Sequence, residues 1–128
     1  MREEIRTPDA PAAIGPYSQG ILTSAGRLVW TAGQLGLDPT NGNLVGGGAP
    51  AECRRALENL RAVLEAAGSG LEGVVKTTVF LADMSDFQGV NAVYETFFRP
   101  PFPARTTVAV RALPKGALVE IEALAVVG

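Results

Sequence analysis

The chain has 128 residues, 47% of them apolar, and a formal net charge of −2; this fits a single folded domain over residues 1–128 and excludes a disordered chain or a strongly basic polyanion binder. Histidine is absent and Cys53 is the one cysteine, which excludes Ser–His and Cys–His catalysis, an internal disulfide and an ordinary zinc site. Any general acid or base is then a carboxylate, Tyr, Lys, Cys or bound water, and no metal or cofactor is expected.

Residues 1–7 are charged and lack the apolar segment of a signal peptide. No apolar run approaches ~20 residues, so the expected location is the cytoplasm, with no membrane partner. Ile5 lies in a short edge strand that Pro8 and Pro11 break. The runs 20–24 and 27–31 flank Ala25 and Gly26 and read as a hairpin. Residues 35–48 are rich in Gly, Pro, Asn and Asp and read as loop.

Pro50 suits a first helical turn. Cys53, Ala56, Leu57, Leu60, Val63, Leu64 and Ala67 follow at helical spacing, with Glu52, Arg54, Arg55, Glu58, Arg61 and Glu65 on the other face and Gly68 as the stop. Cys53 is read as a small packing residue of this helix. The β-branched run from Val74 to Leu81 predicts a strand. Ser85 and Gln88 have capping-box spacing before a second helix striped by Phe87, Val90, Tyr94 and Phe97, which Pro100, Pro101 and Pro103 end. Strands over 105–112 and 118–127 close the chain, joined by a turn holding Pro114 and Gly116. The expectation is an α+β fold, one mixed sheet with two helices on one face.

In the last strand Val119, Ile121, Ala123, Ala125 and Val127 suit the face under the helices, while Glu120, Glu122, Leu124 and Val126 point away. Two helices cover only one face. Either the second face packs on another copy of the chain, or it is a solvated face that tolerates a few apolar groups.

Gly68, Gly70 and Gly73 spell G-x-G-x-x-G, but the pattern follows a helix and precedes a strand, the reverse of a dinucleotide site. Arg105 opens a strand after a Pro-rich loop; it is read either as a planar clamp for a small carboxylate or as a surface ion pair. Glu120 either orients water or pairs with Arg111 across the final hairpin. Tyr17 is a ligand contact or a packed ring, and Asn91, in an apolar stretch, faces solvent or makes a specific bond. A hairpin centred between Lys115 and Gly116 sets Glu120 opposite Arg111 and leaves Arg105 roughly 20 Å along its strand. No small acid bridges that gap within one chain.

Six blocks in order then carry a resemblance: APAAIGPYSQG (10–20), TAGQ (31–34), VKTTVFLADMSDF (75–87), VNAVYETFF (90–98), FPARTTV (102–108) and VEIEALA (119–125). Across nearly the whole chain the sequence resembles the Rid (YjgF) family of enamine and imine deaminases, closest to its RidA branch. The resemblance implies a chorismate-mutase-like fold and a homotrimer with sites in the clefts between subunits. It implies hydrolysis of 2-imino acids to 2-keto acids and ammonia. Arg105 matches the residue that binds the substrate carboxylate, and Glu120 the acid that positions water. Tyr17 and Asn91 match further site residues. Gly33 matches a glycine whose backbone N–H holds the carboxylate, and Thr107 a position whose backbone faces ligand. Two residues depart from the RidA pattern: Ala32, where Ser is frequent, and Thr107, where Cys is common. The competing readings are a non-catalytic regulator that binds small acids, and an endoribonuclease or translation inhibitor.

Overall fold

The apolar stripe of the long helix closes over a mixed sheet in the structure, a computed structural model that describes residues 2–24 and 26–128. In chain order the strands are β1 (Arg2–Ile5), β2 (Gly20–Thr23), β3 (Arg27–Trp30) and β4 (Gln34–Leu35), followed by α1 (Gly48–Ala66) and β5 (Val74–Leu81). Then come α2 (Phe87–Phe97), β6 (Ala104–Ala109) and β7 (Val119–Val127). β1 and β2 pair with each other, while the second sheet runs β3-β7-β5-β6, with β4 also paired to β7. Among the described residues, only the β5–β6 pairing of that sheet is parallel.

Both helices pack on one face. Cys53, Ala56, Leu57, Leu60 and Leu64 of α1 and Val90 and Tyr94 of α2 meet Val79, Leu81, Val119, Ile121 and Ala125 in one core. Val63 stays 38% exposed at the rim. Gly68, at φ +84°, ends α1 as expected, because the left-handed region is open to glycine without a Cβ clash. Among the described residues, no helix is long and apolar enough to cross a membrane.

Four expectations need correction. The runs 20–24 and 27–31 do not pair as a hairpin: β2 joins β1, and β3 joins β7 with Val29 opposite Ala125. That partner lets Val29 pack on the core; Ala25, in the predicted turn, lies outside the described residues. Ser85 does not cap α2, because the Asp83 side chain takes the Ser85 N–H and the chain makes a short 3₁₀ turn before α2 begins. Glu52 is not on the solvent face. It is 5% exposed, and its carboxylate accepts the Leu118 N–H at 2.8 Å, fastening α1 to the start of β7.

The last correction bears on the site. β6 and β7 are not a hairpin, because β5 lies between them, parallel to β6 and antiparallel to β7. The connection crosses the end of β5: Val110 N–H donates to Leu81 O on one side, and Ala82 N–H to Leu118 O on the other. Lys115 at φ 60° and Gly116 at φ 69° reverse the chain on the way. Glu120 therefore faces Phe80 and Leu35, not Arg111. A turn-like sequence between two strands looks the same whether they are neighbours or flank a third.

Candidate active site

Arg105 stands on β6 directly beside Thr77 of β5, which in turn pairs with Ala123 of β7. Paired residues share a face, so Arg105 projects to the helix side. There one Nη1–H donates to Asn91 Oδ1 at 2.5 Å. Its Cζ lies 5.0 Å from the Tyr94 ring centre, 5.5 Å from Tyr17 and 5.7 Å from Phe87. Three aromatic faces and one amide thus hold the guanidinium, leaving its remaining N–H donors for a ligand. Burial lowers the Arg105 pKa, and the neighbouring tyrosines pull the other way; the group remains a cation at any physiological pH.

Tyr17 reaches this cluster because Ser18 is tied down. Ser18 is 2% exposed, makes a bridge with Ala104, and bonds Pro103 O through its N–H and Phe102 O through its hydroxyl. Tyr17 N–H turns back to Gly15 O at 2.7 Å. A Cβ at Gly15 would sit 3.8 Å from both Asn91 Nδ2 and the Tyr17 ring, so Gly15 flanks the same cluster. Thr107, two residues past Arg105, shares its face, and its hydroxyl is buried without a hydrogen-bond partner among the described residues.

Glu120 belongs to a second cluster. Its partner across the sheet is Phe80, which alternates away from Thr77 and Val79. Its carboxylate lies against Gly33: a Cβ at Gly33 would collide with Oε2 and stand 2.7 Å from Cδ. Gly33 is held there from both sides. Thr31 bonds Ala123 through its N–H and its hydroxyl, and Asn59 of α1 donates to Leu35 O and Leu37 O. Ala32, beside Gly33, is exposed.

The two clusters do not meet. Arg105, Asn91 and Tyr17, with Thr107 nearby, lie on the helix face, and Glu120 with Gly33 lies toward the bare one. Tyr17 lines a cleft of about 440 Å³ and Gly33 another of about 470 Å³, but neither Arg105 nor Glu120 lines either. The bare face carries Leu28 and Trp30 opposite Val126 and Leu124, and Val108 opposite Phe80. Trp30 is 74% exposed there.

The family model described as "Endoribonuclease L-PSP" matches residues 7–127. The chain belongs to this family, the Rid (YjgF) family. Among relatives of this Rid chain, the mouse protein named "2-iminobutanoate/2-iminopropanoate deaminase" is 52% identical over 100% of this chain and 93% of its own. The human protein of the same name is 49% identical, over 100% and 92%. Among solved structures, RidA from an Antarctic Psychrobacter is 44% identical over 98% of this chain and 99% of its own, with a TM-score of 0.77. A Thermotoga maritima structure titled a putative endoribonuclease is 46% identical over 100% and 99%, also with a TM-score of 0.77.

Sequence reasoning missed what walls in the Arg105 of this Rid chain. Phe87 and Tyr94 read as an apolar stripe of α2, and both rings pack on the guanidinium. The available signal was Asn91, three residues before Tyr94 and four after Phe87, which puts all three on one side of the helix. Among the described residues, no group of three His, Cys, Asp or Glu side chains is placed to hold a metal ion.

Proposed function

We propose that this Rid chain hydrolyses 2-imino acids to 2-keto acids and ammonia, as a homotrimer whose sites each combine Arg105 of one copy with Glu120 of another. The observation that carries this is the division of the site: a carboxylate clamp on one face, a carboxylate and a glycine backbone on the other. The bare face with Trp30, Leu28 and Val108 exposed supports a second copy as its cover. The names of the mammalian relatives support the substrate class.

The chemistry suits the residues. Arg105 and the Gly33 N–H hold the substrate carboxylate, with Tyr17, Asn91 and the Thr107 backbone lining the same cleft. The protonated imine carbon next to it is already electrophilic. Glu120 accepts a proton from water as the oxygen attacks that carbon, giving a tetrahedral carbinolamine. Glu120 then returns that proton to nitrogen, the C–N bond breaks and ammonia leaves, while Glu120 takes the hydroxyl proton as the keto group forms and passes it to the ammonia, which departs as ammonium. Fixed geometry supplies most of the rate, since no covalent nucleophile is required. The family description points also to RNA, but a net charge of −2 and a chain without histidine favour the small acid.

The test uses an amino-acid oxidase to generate imino acids from several amino acids in the presence of the purified protein. Faster ammonia release, unchanged by a chelator, is the expected result. No acceleration with any imine would move the reading to a small-acid-binding regulator, and loss of activity on chelation with recovery on adding metal would overturn the mechanism.

A further inference from the structure

We infer that Thr77 and Tyr94 are positioning residues for substrate binding: their mutual hydrogen bond sets where the Arg105 guanidinium stands. The inference rests on the reading of Arg105 as the carboxylate anchor.

Thr77 is the cross-strand neighbour of Arg105 and shares its face. Both Thr77 and Tyr94 are 0% exposed, and their hydroxyl oxygens are 2.8 Å apart. The bond ties the middle of α2 to β5 at the row where β6 carries Arg105. Tyr94 is also the nearest of the three rings to the Arg105 Cζ, at 5.0 Å. Phe98 packs behind it, with ring centres 4.6 Å apart. The ring is thus a fixed stop on the inner side of the guanidinium. Asn91, one helical turn earlier, fixes the direction of Nη1. With both constraints the remaining donors keep one orientation, and a bound carboxylate does not have to order them.

The pair has a plain alternative: two buried polar groups satisfying each other. A Phe–Val pair would fill nearly the same volume without desolvating two hydroxyls, and such an exchange is close to neutral in stability. A purely structural pair therefore predicts that the double substitution changes little of anything. A positioning pair predicts a change confined to substrate binding.

The experiment compares Tyr94→Phe with Thr77→Val, singly and together, and Thr77→Ser, in the imino-acid assay with a thermal melt of each. The single variants leave one hydroxyl unpaired and lower the Tm. The double variant recovers the Tm, yet its KM is raised about five-fold, the equivalent of one ordinary hydrogen bond, with kcat within about two-fold. Thr77→Ser, which keeps the hydroxyl, retains the wild-type KM. An unchanged KM in the double variant, alongside a raised KM in Arg105→Ala, overturns the inference and leaves the anchor standing. An unchanged KM in Arg105→Ala itself overturns the anchor reading. Should the double variant fail to melt cooperatively, a wild-type KM in the Thr77→Val single variant also overturns the inference.

Discussion

Arg105 and Glu120 project to opposite faces of one sheet, three residues apart in register and separated by β5. Three residues along a strand and two strand spacings across each amount to roughly 10 Å. The sheet itself stands between the side chains. With the roles proposed for them, a single copy offers a clamp on one face and a water-orienting carboxylate on the other, not both together. The proposed division of the site between copies rests on this strand order and not on the hairpin register that the sequence suggested.

Arg105→Ala is expected to remove most activity while the fold survives. Arg105 is half-buried on the edge strand β6, and the core beneath does not include it. Loss of a buried charged anchor costs about 2–5 kcal/mol of binding. Arg105→Lys recovers little, because an ammonium keeps the charge but not the planar fork or its stacking on Tyr17, Phe87 and Tyr94. Steady-state kinetics decide this; a near-normal kcat/KM in Arg105→Ala would remove the residue from the site.

Gly33→Ala and Glu120→Gln probe the other half. A methyl at Gly33 runs into the Glu120 carboxylate, so that side chain must swing away. The expected result is a kcat loss of about a hundred-fold or more, in the range assigned to general acid–base groups. Glu120→Gln keeps the size and removes the charge, so kcat falls while carboxylate inhibitors still bind. A Gly33→Ala enzyme with wild-type kcat would show that the position of Glu120 against Gly33 has no bearing on turnover.

Much of this arrangement is written in local sequence patterns. The alternation of Val119, Ile121, Ala123 and Ala125 marks the buried face of β7, and all four lie within the core. The stripe from Cys53 to Leu64 marks the packed face of α1. Pattern does not record which strands are neighbours, and the order β7-β5-β6 escaped for that reason. Composition also misleads where one buried partner outweighs exposure. Glu52 reads as surface among five other charged residues, yet one backbone N–H at Leu118 holds it inside. At Arg105, the sequence left anchor and surface ion pair open, and the structure supplies Asn91 and three rings in place of an acidic partner.

Cys53 is expected to ignore thiol reagents in the native protein. It is 0% exposed on α1, and burial pushes its thiol pKa up to about 12. The reactive thiolate is therefore scarce at neutral pH, and reagent cannot reach it. A chromogenic disulfide reagent should titrate no thiol in buffer and one per chain in denaturant. Prompt native reaction would mean that α1 opens on the timescale of the assay.

Subunit mixing tests the divided site directly. Arg105→Ala and Glu120→Ala proteins are prepared separately, each inactive, then unfolded together in equal amounts and refolded. In the proposed assembly each site draws Arg105 from one copy and Glu120 from its neighbour. In random cyclic assembly the two are intact together in about a quarter of the sites. The expected recovery is that fraction of wild-type activity, and it should follow the product of the two intact fractions as the mixing ratio changes. A mixture of either variant with itself recovers nothing. If both residues acted from one chain, every chain would carry one defect and no ratio would restore turnover. Mixed oligomers confirmed by mass but still inactive would mean that Arg105 and Glu120 act from the same chain, against the opposite faces on which the sheet presents them.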